Sequence, residues 1–155
     1  MDAKDAAPAK DVVVQALAER AAQAMYARDT ATQALGIELE FVAPGRACLT
    51  MRVRHDMLNG HASCHGGFIF TLADSAFAFA CNSRNDRTVA AGAEVDFLRP
   101  GFEGDVLRAE AVERALKGRS GIYDITVTNQ KGEVVALFRG RSHRVPGEVI
   151  AVDEA

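Results

Sequence analysis

The chain has 155 residues, 48% of them apolar and 25% charged, which suits one compact domain and excludes a chain disordered throughout. Its 18 basic against 21 acidic residues leave a net charge of −3, so nucleic acid is not expected as the main partner. The longest apolar run, from Gly66 to Cys81, is 16 residues long and carries Asp74 in its middle, so no membrane span is expected.

Residues 1–10 are small, charged and Pro-containing, and read as a flexible arm with no secretory signal. From Asp11 to Arg28 an Ala-rich segment places Leu17, Ala21, Ala24 and Met25 at helical spacing, which predicts a helix with Asp11 as its N-cap. Beyond Ala34 the pattern turns strand-like. Residues 48–54 alternate apolar and polar with a period of two, behind a turn at Pro44-Gly45. Residues 56–65 are irregular, and Gly66-Gly67 then opens the run FIFTLADSAFAFA, which predicts a helix buried nearly all round. Four more strands are predicted over 88–99, 104–116, 120–129 and 133–144, broken at Pro100-Gly101, Lys117-Gly118 and residues 129–132. Residues 146–155 read as a tail, leaving one domain over 11–145. The breaks are too short for crossover helices, so the strands are expected to be antiparallel. The predicted fold is α+β: a curved antiparallel sheet around one central helix, with an additional N-terminal helix.

Within that central helix the polar residues are Thr71, Asp74 and Ser75, at i, i+3 and i+4 on one face that Gly67 and Ala78 extend. A carboxylate in such surroundings is either paired with a neighbour or open to a cleft where it can do chemistry. At the helix start, His65-Gly66-Gly67 leaves backbone N–H groups that can bind an anion or a developing oxyanion. Gly66 and Asp74 are eight residues apart, hence roughly 12 Å along the axis, whereas a general base works within about 3 Å. If both serve one site they must come from two subunits, with antiparallel helices side by side across a two-fold axis. A functional reading of this helix therefore requires at least a dimer.

The segment NGHASCHGGFIFTLADSAFAFA (59–80), the stretch DFLRPGFEGD (96–105), and the later GIYD (121–124) and ALFRG (136–140) closely resemble the hotdog-fold thioesterases of the phenylacetic acid degradation operon. The likeness covers roughly residues 20–145. It implies a hotdog fold, a homodimer that pairs into a tetramer, and hydrolysis of phenylacetyl- or ring-hydroxylated phenylacetyl-coenzyme A to free acid and coenzyme A. Carried over by position, the catalytic carboxylate falls on Asp74 and the polarising amide on Gly66 or Gly67. The loop asparagine falls on Asn59 and the loop-end histidine on His65. Some relatives use a serine or threonine in the strand after the helix, where this chain has no hydroxyl over 89–93.

Thr71 and Ser75 on the helix face, and Lys117 and Arg119 near the strand turn, are candidate substrate contacts, the latter two for coenzyme A phosphates. No cofactor or metal is expected, coenzyme A being part of the substrate. His55, His61, Cys64 and His65 crowd together but match no common zinc spacing. Cys48, Cys64 and Cys81 are odd in number and read as reduced thiols of a cytoplasmic protein. The alternatives are an acyl-coenzyme A hydratase or dehydratase of the same fold, or a non-catalytic acyl-coenzyme A binding protein.

Overall fold

The computed structural model describes residues 6–152. Helix α1 (Ala6–Arg28) is followed by the short α2 (Thr30–Ala34) and by strands β1 (Glu38–Ala43) and β2 (Arg46–Arg52). A single 3-10 turn at His55–Met57 leads to α3 (Gly66–Cys81). Strands β3 (Asp86–Phe97), β4 (Val106–Lys117), β5 (Ser120–Thr128) and β6 (Val134–Glu148) complete the fold. Every strand pair is antiparallel, in the order β1-β2-β4-β5-β6-β3.

The predicted α+β architecture holds, with corrections at the boundaries. Residues 6–10 belong to α1, so Asp11 lies inside that helix instead of capping it. Residues 1–5 of the expected arm lie outside the described residues. Of the expected tail, Pro146, Gly147 and Glu148 extend β6, with Glu148 opposite Asp86, and 153–155 lie outside the described residues.

Helix α1 meets the sheet through side chains small enough for close approach: Ala18, Ala21 and Ala22 are buried. It lies along the β1 edge, where Gln15 Nε2 donates to the Val42 carbonyl at 2.8 Å. Tyr26 Oη likewise donates to the Ile37 carbonyl at 2.9 Å. One edge of the sheet is thereby covered. β3 forms the opposite edge, and there Val89 and Phe97 are exposed.

Helix α3 packs across one face of the sheet, touching every strand, and buries Ile69, Leu72, Ala73, Ala76, Phe77, Phe79 and Ala80. Burial of a large apolar side chain stabilises by about 1.5–3 kcal/mol each, so this helix anchors the core. Phe77 packs against Tyr123 with ring centroids 5.5 Å apart, and against Phe138 at 6.1 Å. It comes so close to β6 that a Cβ at Gly140 would meet its ring at 2.8 Å. The glycine is what admits the helix to that depth.

Candidate active site

The loop before α3 is shaped by Asn59. Its Oδ1 accepts from the His61 and Ser63 backbone N–H groups at 2.9 and 3.2 Å, and from the Ser63 hydroxyl at 3.2 Å. The Asn59 backbone N–H donates to the Ser63 carbonyl at 2.8 Å. With Oδ1 consumed in this Asx turn, the side-chain NH2 is what Asn59 can offer a ligand.

His65 caps α3. Its Nδ1 accepts from Gly67 N–H at 2.9 Å, which fixes the neutral tautomer with the proton on Nε2. This separates the two glycines. Gly67 N–H is spent on the cap, whereas Gly66 N–H has no acceptor among the described residues. Gly66 N–H is therefore an amide left available at the positive end of the helix. Beside it a cleft of about 350 Å³ is lined by Asn59, Ser63, Gly66, Phe97 and Leu98 among others. Phe97 and Leu98 stay 52% and 58% exposed, yet the Phe97 ring lies 3.0 Å from where a Gly66 Cβ would stand. Strand periodicity alone gives no signal that these two line a cleft.

Asp74 does not line that cleft. It lies on the partly open stripe of α3 with Thr71 and Ala78, and among the described residues no donor or cation reaches its carboxylate. Burial, and next to it the negative charge of Asp29, push its carboxyl above the usual carboxylate range. Thr71 donates its hydroxyl proton to the Gly67 carbonyl at 2.9 Å. Ser75, on the same helix, turns its hydroxyl the other way. It is 8% exposed and its Oγ lies 3.2 Å from Thr32 Oγ1, so it faces α2.

Lys117 and Arg119 flank the β4–β5 turn at the other end of α3. Arg119 joins Arg84, Arg144 and Thr88 around a small cleft of about 40 Å³ near Cys81. The fold does not bring this basic cluster to the Gly66 end of its own helix, since Cys81 is the last residue of α3 and Gly66 the first. Burial pushes the Cys48 and Cys64 thiols up to about 11 and the Cys81 thiol up to about 12. A neutral Cys64 thiol is no nucleophile at ordinary pH. Among the described residues no three His, Cys, Asp or Glu side chains converge to hold a metal ion, and no helix is long and apolar enough to cross a membrane.

Residues 61–136 match the thioesterase superfamily. The chain is 52% identical over 128 residues to the acyl-coenzyme A thioesterase PaaI of Escherichia coli (strain K12), covering 83% of this chain and 91% of that protein. The solved structure of the E. coli PaaI protein from the phenylacetic acid degradation operon matches with a TM-score of 0.86 at 50% identity, over 87% of this chain and 98% of that one. A mutant of the phenylacetic acid degradation protein PaaI from Thermus thermophilus matches with a TM-score of 0.73 at 41% identity, over 76% and 100% of the two chains. A Streptococcus mutans UA159 protein solved bound to acetyl CoA matches with a TM-score of 0.70 at 25% identity, over 72% and 90%.

Proposed function

The chain belongs to the thioesterase superfamily, in its phenylacetic acid degradation branch, and from that premise we propose how its residues divide the work. It is a hotdog-fold acyl-coenzyme A thioesterase of phenylacetate catabolism, and we read its substrate as phenylacetyl- or ring-hydroxylated phenylacetyl-coenzyme A. The observation that carries the mechanism is the Gly66 amide left without an acceptor while His65 takes the Gly67 amide. In our reading that N–H binds the thioester oxygen and stabilises the charge that develops on it. Asn59 holds water or a carboxylate through its NH2, and His65 keeps the helix start in shape. The acyl group and the pantetheine arm use the Phe97–Leu98 cleft, whose volume suits a small organic ligand.

Asp74 completes the site from the partner subunit. Within one chain it is roughly 12 Å along α3 from Gly66, and two antiparallel helices side by side close that distance. Support comes from the uncovered β3 edge and the partly open α3 stripe, two surfaces a second copy could cover. The same two-fold axis carries Lys117 and Arg119 of the partner subunit toward the Gly66 end, where coenzyme A phosphates need cations. We read the assembly as a homodimer that pairs into a tetramer, in the cytoplasm where thiols stay reduced.

Asp74 either takes a proton from water, whose oxygen attacks the carbonyl carbon, or attacks that carbon itself to give a mixed anhydride that water then opens. In both routes the C–S bond breaks and coenzyme A leaves as thiolate. A thiol pKa near ~8.5 means it needs little protonation, so one carboxylate and one amide suffice without a further cofactor. The test is thiol release from phenylacetyl-, hydroxyphenylacetyl-, benzoyl- and acetyl-coenzyme A with Asp74→Asn in parallel. Release favouring the phenylacetyl compounds and lost in the folded variant is expected. No release from any thioester would overturn the reading.

A further inference from the structure

A second carboxylate stands behind Asp74. Asp29, between α1 and α2, is the N-cap of α2 and accepts from Thr32 N–H at 3.0 Å and from the Thr32 hydroxyl at 2.6 Å. Thr32 is 1% exposed, and its Oγ1 is 3.2 Å from Ser75 Oγ, on the residue following Asp74. An ionised carboxylate only accepts, so the Thr32 proton points to Asp29 and Ser75 must donate to Thr32. The chain Ser75–Thr32–Asp29 thus runs in one direction and ends on a negative charge.

That arrangement is unlike its neighbour's. A helical hydroxyl commonly returns its proton to the carbonyl four residues back, as Thr71 does to Gly67. Ser75 instead ties α3 to α2 at the turn that carries Asp74. Among the described residues no cation pairs with Asp29 at the end of the chain. Arg28, next to Asp29 in sequence, gives its guanidinium to the Ala24 and Val149 carbonyls. Asp29, the cap of α2, is the charged group set against Asp74, and the nearby Cys81 thiol at the end of α3 is kept neutral by burial.

We propose that Asp29 is a positioning residue for Asp74: through Thr32 and Ser75 it fixes the α3 turn bearing the reacting carboxylate, and it stands its own negative charge against that carboxylate. The inference rests on Asp74 carrying the hydrolysis proposed above. A carboxylate so placed stays a stronger base once ionised, at the cost of being ionised over a narrower pH range.

The experiment measures kcat/KM for phenylacetyl-coenzyme A against pH in the wild type, Asp29→Asn, Asp29→Ser and Thr32→Val. Asn and Ser cap helices about as well as Asp, so α2 is kept while the charge goes. Both are expected to move the acid limb of the profile to lower pH by on the order of half a unit, and to lower the plateau. Thr32→Val keeps the charge and breaks the chain, so it is expected to lower kcat several-fold with KM and the acid limb unmoved. An acid limb unmoved in both charge-removing variants, each folded by circular dichroism, overturns the proposal. A wild type that releases no thiol is a separate failure, of the hydrolysis reading. In that case the ¹³C carboxyl resonance of Asp74, titrated in wild type and Asp29→Asn, tests the charge coupling without turnover, and coincident titrations overturn it.

Discussion

Replacing Asp74 by Asn removes a charge that the folded chain disfavours, so activity and stability are expected to move in opposite directions. Thiol release should fall by about 10²- to 10⁴-fold, the range for losing a positioned base. The carboxyl titrates above its ordinary range in the folded chain, so the folded state binds the extra proton. Stability from this group is present below the unfolded-state pKa and is lost as pH rises through the raised folded value. Asp74→Asn is therefore expected to melt at or above the wild-type temperature at pH 7 and to lose that advantage near pH 4, as thermal scans at the two pH values would show. His65→Ala acts at the same scale with the other sign. It strips the acceptor from Gly67 N–H and should cost about 1 kcal/mol in denaturant unfolding.

At the scale of elements, the contact between α3 and β6 makes its own prediction. A Cβ at Gly140 would lie 2.8 Å from three atoms of the Phe77 ring, and Phe77 is 1% exposed with nowhere to retreat. Gly140→Ala should therefore cost about 1–3 kcal/mol, read as a lowered urea midpoint with the slope unchanged. Much of this layer was legible from residues. Pro44-Gly45 and Lys117-Gly118 announced hairpins, and both glycines do sit at positive φ, +73° and +61°. The apolar run around Asp74 announced the central helix, Asp74 stood out because it interrupts that run, His65 and Gly66 because they open it, and Asn59 only through the family resemblance. Two things were hidden. Helix α2 is five residues with two threonines, and it forms because Asp29 caps it, a role indistinguishable in sequence from any polar loop. The partner of β3 was hidden as well. The break at Pro100-Gly101 looks like one more short turn, yet the chain there passes the start of α3, where Cys64 N–H donates to the Gly101 carbonyl at 2.7 Å, and β3 pairs with β6 rather than β4. Alternation tells which face of a strand is buried and says nothing about its neighbour.

For the whole molecule, the shared site predicts complementation between damaged chains. Asp74→Asn and Asn59→Ala chains, each inactive alone, should regain about a quarter of wild-type turnover after refolding together, because half of random dimers are mixed and each mixed dimer holds one intact site. Ala91→Glu, an exposed residue at the irregularity in β3, should give a folded monomer with no thiol release, sedimentation and activity changing together. Sites held within one chain would show no recovery on mixing. The strand order also sets a timetable. β3 pairs with β6, and all of β4 and β5 is made between them. On the ribosome β3 therefore emerges with both edges bare and waits there until β6 follows. The edge proposed as the seam between subunits is thus, during synthesis, the stretch most open to a neighbouring nascent chain on the same messenger, and the natural place for a holding chaperone to sit.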